Sequence, residues 1–511
     1  MTPLRPRNVL FMWTDQQRPD TIGAYGNPQI QTPHLNRLAA AGTLFTQAYS
    51  TQPVCSPARA SVLTGLYPHT HGVGENNVPL PATAPTLAQL LRPAGYVCGY
   101  VGKWHLGRER TPQAGFEDFW VSTEEYGGGY AADDPDARRP SDYHRFLVAH
   151  GYAPSDDGPY GKRFSRKTAA RLPEQVGKPA FQAGACIRFL ETYKERPFLL
   201  MCNFLEPHPP VNGPFDGLYD PDSMVLPESW YHEPEPTVPL RYRLRRDPAA
   251  FPNHYTELES DDERGWKALK ARYWGLCTLV DKYVGRILTR LEELGLAEDT
   301  IVAYSSDHGD MMGEHRLLNK MTQYDGAARV PLIVRLPGGT PSGKVLEPRR
   351  IEKPVSLVSA VPTLLDLLGL PVPDHVQGPS LVPLLEGGPG SAGATDESDS
   401  EANASSEVVI EWNGHNGDPP AIMAAIRSGD PSLDRRLLLA DVRTLRAGSW
   451  KLNVHQSGEH ELYDLQADPG EMHNAFYDPA NRQVVTSLWE RLHAWQRETT
   501  DPLGLPDPTP L

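Results

Sequence analysis

The chain has 511 residues with 64 Asp+Glu against 49 Lys+Arg, a formal net charge of -15, and 39% hydrophobic and 22% charged residues. That composition excludes a disordered or fibrous chain, and its negative charge argues against coating nucleic acid or an acidic membrane, because long-range repulsion opposes both encounters. No apolar run reaches the roughly 18 residues that span a bilayer.

Asn8 to Thr14 is a short apolar run that ends in Asp15-Gln-Gln-Arg-Pro-Asp20. It is too short for a signal h-region and predicts a cytoplasmic protein made without an export signal. It reads instead as a buried strand that delivers polar groups at its C-terminal end, the edge at which open α/β sheets collect their sites. Thr32 to Gly42 follows as a helix, with Thr32 as N-cap and Pro33 at its first position. Thr51 to Gly72 contains Cys55, Pro57 and Arg59 as Cys-x-Pro-x-Arg, ahead of an Ala/Ser/Val/Leu segment that predicts a helix ending at Gly65.

Thr86 to Arg92 predicts a further helix, and Tyr96 to Val101 a strand ending in Gly102-Lys-Trp-His-Leu-Gly107. Residues from about 108 to 180 read as loops, assigned to a substrate-facing rim. Ala183 to Glu195 has helical spacing, and Pro197 to Phe204 is a strand that runs into Leu205-Glu-Pro-His-Pro-Pro210. After an irregular Pro-rich stretch, Asp261 to Leu296 is a long amphipathic pattern with a potential break near Gly275. Thr300 to Ser306 is a strand ending in Asp307-His-Gly and leading to Lys320, Val330 to Arg335 another, and Val355 to Leu368 a helix.

Gly387 to Ser406 is low in complexity and cannot bury much surface, which makes it a linker. The expected division is a catalytic domain over 1–386, a linker over 387–407 and a C-terminal α+β subdomain over 408–511. In the last, Val408 to Trp412, Leu437 to Leu439, Thr444 to Val454 and Glu461 to Leu465 read as strands. Val485, Leu488, Trp489, Leu492 and Trp495 mark one face of a terminal helix.

Five cysteines without Cys-x-x-Cys spacing disfavour a disulfide framework or a zinc cluster, and Cys98, Cys186, Cys202 and Cys277 read as packing residues. Five segments place polar groups after predicted strands or at a helix start. These are Asp15 with Gln16, Cys55 with Arg59, Lys103 with His105, His208, and Asp307 with His308 and then Lys320. Together they predict one catalytic edge. Asp15 and Asp307 would repel one another there unless a divalent cation lay between them.

Cys55-x-Pro57-x-Arg59, with Gly102-Lys-x-His105 and Pro207-His208, resembles the signature of the sulfatase family. The resemblance covers nearly the whole chain, including Gly448-Ser-Trp-Lys451 and Glu461 to Glu471. It implies an alkaline-phosphatase-like α/β fold, a central sheet flanked by helices, with the smaller C-terminal α+β domain packed against it. In that family a separate enzyme oxidises the cysteine to formylglycine (3-oxoalanine), whose hydrate supplies the nucleophilic oxygen. Cys55 is then a precursor, and a formylglycine-generating enzyme is a partner in maturation. A helix start at Ser56-Pro57 would add backbone dipoles aimed at the developing charge.

The resemblance also implies one metal ion held by Asp15, Gln16, Asp307, His308 and the modified Cys55. Calcium suits the hard oxygens, and the imidazole makes manganese the alternative. Arg59 would support the nucleophile, Lys103 would bind the anion, Lys320 and His208 would serve the leaving oxygen, and His105 would be the base that releases sulfate. Asn77 is a candidate contact to the substrate anion, while His69, His71 and His315 are equally readable as loop residues. The expected reaction is hydrolysis of a small-molecule or saccharide sulfate ester. Many sulfatases carry Asp at the position of Gln16 and Asn at that of His308, so phosphonate monoester or phosphodiester hydrolysis is the runner-up. A non-catalytic, metal-dependent glycan-binding protein is the alternative from another class.

Overall fold

A computed structural model of the chain describes residues 8–125, 139–158, 161–246, 262–337, 346–387, 407–413 and 434–508, with Ile422 and Ser428. Its strands are β1 (Asn8–Asp15), β2 (Thr43–Tyr49), β3 (Val97–Gly102), β4 (Phe119–Ser122), β5 (Ser155–Gly158), β6 (Gly161–Phe164), β7 (Phe198–Pro207), β8 (Thr300–Ser306), β9 (Arg329–Arg335), β10 (Arg349–Ile351), β11 (Val355–Ser356), β12 (Glu407–Trp412), β13 (Val442–Ala447), β14 (Trp450–His455) and β15 (Glu461–Asp464). Nine of them form one sheet in the order β10-β2-β9-β8-β1-β7-β3-β4, with β11 also on β2. The central run β8, β1, β7, β3 and β4 is parallel throughout, and β9 is antiparallel to both of its neighbours.

Every residue of β1 is buried, which is why its sequence is almost continuously apolar rather than alternating. The alternation appears in what each side chain meets. Leu10 and Met12 pack with the helices Pro33–Ala40, Lys178–Tyr193 and Glu263–Glu293 on one face of the sheet. Val9, Phe11 and Trp13 pack on the other with Ala60, Val62 and Leu63 of the helix Cys55–Thr64 and Val361, Leu364 and Leu365 of the helix Ala360–Leu367. The result is an α/β/α layering in which the signature helix is buried on all sides.

The parallel register matters for the site. Thr14 lies opposite Ser306, and Asp15 opposite Pro207 after a bulge, while Gly102 pairs with Asn203. Four adjacent strands therefore end at about the same level, and the residues that follow each one emerge on one edge. Gly102 makes this possible at β3. Its φ is +116°, and a Cβ there would come within 1.9 Å of the Asn203 carbonyl oxygen, so no other residue could lead the chain into Lys103.

In the C-terminal part, β12-β13-β14-β15 form an antiparallel sheet. The helix Arg482–Thr499 covers it, with Val485, Leu488, Trp489 and Leu492 packed on Val409, Leu445, Leu452 and Leu462. Val408 and Ile410 in turn meet Tyr49 and Ala328 of the main sheet.

Several elements differ from the sequence expectations. Leu437–Leu439 lies in a short helix, Arg435–Leu439, whose start is capped by Asp434. Three leucines in a row carry no period that separates strand from helix. The segment beginning at Val355 opens as β11 and turns helical only from Ala360, because Ser356 caps a tight turn between them. The helix Glu263–Glu293 is unbroken at Gly275, which is needed for close approach. A Cβ there would lie 2.5 Å from the Phe215 carbonyl oxygen. The expected rim contains β4, a helix Asp142–Ala149 and the β5/β6 hairpin, while its residues 126–138 lie outside the described residues. Residues 388–406 of the expected linker also lie outside them. Among the described residues, no helix is long and apolar enough to cross a membrane.

Candidate active site

The helix Cys55–Thr64 begins at the strand edge, with Cys55 as its first residue. Cys55 Sγ lies 3.1 Å from Lys320 Nζ, 3.3 Å from His308 Nε2 and 3.7 Å from Asp15 Oδ1. One helical turn on, Arg59 points back toward the same place. Its Nη2 is 2.8 Å from Asp15 Oδ2 and 2.9 Å from Asp307 Oδ2, and Nη1 donates to the Lys103 carbonyl at 2.8 Å. The guanidinium also lies 5.0 Å from the Trp13 ring centroid. Lys103 Nζ donates to Asp15 Oδ2.

Each carboxylate thus gives Oδ2 to Arg59, and its other oxygen faces His308. Nε2 of His308 is 3.8 Å from Asp15 Oδ1 and 3.5 Å from Asp307 Oδ1. His308 Nδ1 is 2.9 Å from the Gly309 carbonyl, which makes Nδ1 the protonated nitrogen and turns the Nε2 lone pair inward. Ligating atoms of Asp15, Cys55, Asp307 and His308 all lie within 4.8 Å of one another, and all four residues are buried. The donor set fits a divalent cation: two carboxylate oxygens, an imidazole lone pair and the position-55 side chain, converging where uncompensated carboxylates would repel.

Gln16 has φ +71°, and Tyr273 holds its carbonyl oxygen through a phenol hydrogen bond. Its amide oxygen accepts from Lys320 Nζ at 2.7 Å, and its amide nitrogen donates to Asp310 and Asn319. Lys320 therefore bridges Gln16 and Cys55. Burial pushes Asp15 up, but Lys103, His208, Arg59 and Lys320 outweigh it and hold the carboxyl well below the usual range. Burial and Asp15 raise the Cys55 thiol, whereas Lys103, Lys320 and His308 bring it down to about 7. With three cations, Arg59, Lys103 and Lys320, around two carboxylates, the cluster favours an anion.

His105, with φ +60°, is held by its backbone N–H to Glu109 and by Ser56 Oγ on its carbonyl. Its Nε2 lies 3.1 Å from Asn77 Oδ1, so the neutral ring carries its lone pair on Nδ1. Burial, then Lys103 and Arg59, holds its pKa well below the usual histidine range. Burial, then Lys320, does the same to His208, whose Nδ1 is 2.7 Å from the Pro209 carbonyl.

The helix start offers less than its sequence suggests. The Ser56 N–H is donated to Asn76 Oδ1, the Ala58 N–H to the Val54 carbonyl, and Pro57 has none. Side-chain cations, not backbone dipoles, therefore set the field. The three outlying histidines are structural: His69 binds Glu411 and the Thr499 carbonyl, His71 binds Ser61, and His315 stacks on Tyr324 at 4.2 Å. Asn77 stands beside His105.

The residues that support this set, Tyr273, Asp310, Asn319, Glu109 and Arg245, which donates to the Lys320 carbonyl, were not legible as a group. None sits in a motif. Glu206 alone lies next to one, one residue before Pro207-His208.

The family model described as Sulfatase matches residues 7–370. The chain is 27% identical over 98% of its length to an ulvan-active sulfatase of Formosa agariphila, covering 82% of that protein. It is 27% identical over 97% of its length to an N-acetylglucosamine-6-O-sulfatase of Bacteroides thetaiotaomicron, covering 87% of that protein. A phosphonate monoester hydrolase of Agrobacterium radiobacter has a similar structure, with a TM-score of 0.70, 26% identity and 96% of each chain covered.

Proposed function

The chain belongs to the sulfatase family, and on that premise we propose that it hydrolyses sulfate esters at the cluster around Cys55, after oxidation of that residue to formylglycine. One observation carries the proposal: Cys55 Sγ, two carboxylates, His308 Nε2 and Lys320 Nζ converge on one buried point. The hydrated aldehyde at position 55 would supply two oxygens on one carbon, one a nucleophile toward sulfur and the other a means of releasing the product.

Asp15, Asp307 and His308 would hold the metal ion, with Gln16 completing the set through its amide oxygen. When bound, the ion would act as a Lewis acid that lowers the pKa of an oxygen at position 55 and offsets charge on the ester. Arg59 fixes both carboxylates from the opposite side. Lys103 and Lys320 are placed to draw a sulfate group in and to hold its oxygens as charge moves onto the leaving oxygen. Arriving negative charge would raise the pKa of His208, so that the nearby ring can share in protonating that oxygen.

His105 is the proposed base. A base works only when deprotonated, and its pKa is held below the usual range, so activity is retained as pH falls through 6.5 and is lost only further down. The expected kcat/KM profile is flat from pH 7 to 6, with its acid limb below that. A limb centred at or above 6.5 would exclude His105 as the base. For the metal, adding calcium or manganese to metal-stripped protein should raise the unfolding midpoint, by the equivalent of about 2.7 kcal/mol when free metal is about 100 times its Kd. Asp307→Asn should remove most of that increment, and an equal increment in the variant would place the ion elsewhere.

Phosphonate monoester hydrolysis is the second reading, favoured by Gln16 and His308 in place of the commoner Asp and Asn and by the structural likeness to a phosphonate monoester hydrolase. Turnover of 4-nitrophenyl sulfate against that of a phenyl phosphonate monoester separates the two. A higher kcat/KM for the sulfate is expected, and a large preference for the phosphonate would reverse the order.

A further inference from the structure

Beside His208 lies a cavity of about 30 Å³ whose lining includes Arg166, Lys178, Glu206 and Asn212. Charge is unevenly shared there. Glu124 engages both nearby cations, Lys178 through Oε1 and Arg166 at 3.7 Å through Oε2. Glu206 is the second carboxyl of the group. Its Oε2 atom is buried and accepts no hydrogen bond from the described residues. A buried acceptor left without a donor is costly, and its place next to the residue that faces the leaving oxygen points to a donor arriving with the substrate.

The volume limits what that donor can be. A water needs roughly 10–15 Å³ of such space, and a cavity that takes benzene measures about 150 Å³. A hydroxyl or hydroxymethyl arm fits, but an aromatic ring does not. We propose that this cavity is a subsite for the alcohol half of the ester, in which Glu206 binds a hydroxyl close to the sulfated position of a polyhydroxylated, saccharide-like leaving group. The inference rests on the sulfatase reading above and names its substrate class.

Burial is the main force that pushes Glu206 up to about 7, with Lys178 opposing it and Glu124 adding to it. A hydroxyl suits such a group because it can donate to the carboxylate or accept from the acid. A second sulfate, by contrast, would meet repulsion from Glu206 whenever that carboxyl is ionised.

The test uses full-length Cys55→Ala protein, which would bind without turnover, titrated calorimetrically with hexose monosulfates sulfated at different positions and with 4-nitrophenyl sulfate. The best hexose sulfate should bind more tightly than the aryl sulfate. Adding Glu206→Ala should lower the hexose-to-aryl affinity ratio by about 10-fold or more, and Glu206→Gln, which keeps the shape and one acceptor, by less. If the Ala variant fails to fold, the Gln variant decides on the same ratio. An unchanged ratio, or no preference for any hexose sulfate, overturns the subsite. If neither class binds and protein with intact Cys55 hydrolyses neither, the sulfatase reading falls first and the subsite with it.

Discussion

Replacing Cys55 by alanine is expected to reduce kcat/KM for an aryl sulfate by roughly 10⁴-fold or more, the scale seen when a nucleophile is removed from a site that otherwise stays assembled. The fold should survive. Cys55 opens a helix whose remaining residues are packed independently of Sγ, and alanine is compatible with a first helical position. Cys55→Ser should fall nearly as far, because a hydroxyl brings one oxygen where two are needed, and it has no thiol to oxidise. Retention of full activity in either variant would remove position 55 from the chemistry and leave the metal cluster to act on water.

Arg59→Ala is expected to combine a kinetic and a structural loss. Arg59 joins Asp15 and Asp307 and is fully buried, so its removal leaves two buried carboxylates facing each other with only Lys103 and Lys320 near Asp15. Breaking a buried pair of this kind costs about 3–5 kcal/mol. The loss should be largest in metal-free protein and smaller with metal bound, since a cation between the carboxylates offsets part of the repulsion. Activity should fall by roughly 10²–10³-fold. Arg59→Lys should recover little of it, because an ammonium cannot reach both carboxylates and the Lys103 carbonyl at once. Chemical denaturation with and without calcium, alongside steady-state rates, measures both effects. Equal destabilisation in both states would mean that the metal does not lie between Asp15 and Asp307.

Much of the site was legible because its chemistry follows strand ends. β1, β3, β7 and β8 each read as an apolar run that stops at a charged or imidazole residue, and their parallel register turns four separate sequence events into one edge. Asp15, Lys103, His208 and Asp307 needed only that rule. What stayed hidden depends on side-chain direction. No periodicity shows that Gln16 turns its amide oxygen to Lys320, or that Asn76 takes the Ser56 N–H that the helix start seemed to offer an anion.

The fold was least legible where residues are neither periodic nor punctuated. The leucines at 437–439 became a helix because Asp434 caps it, and Gly275 proved to be a contact to Phe215 rather than a break. The cavity beside His208 was invisible for a third reason. It is assembled from Arg166, Lys178 and Glu206, which are distant in sequence, and only Glu206 lies near a motif.

The central claim is that Cys55 is a precursor and not the working group. Peptide mass spectrometry across Thr51 to Gly72, on protein made in a host with a formylglycine-generating enzyme, tests it most directly. The account predicts the aldehyde mass at position 55, with specific activity rising in proportion to the converted fraction. Active protein that carries only unmodified thiol at Cys55 would contradict it.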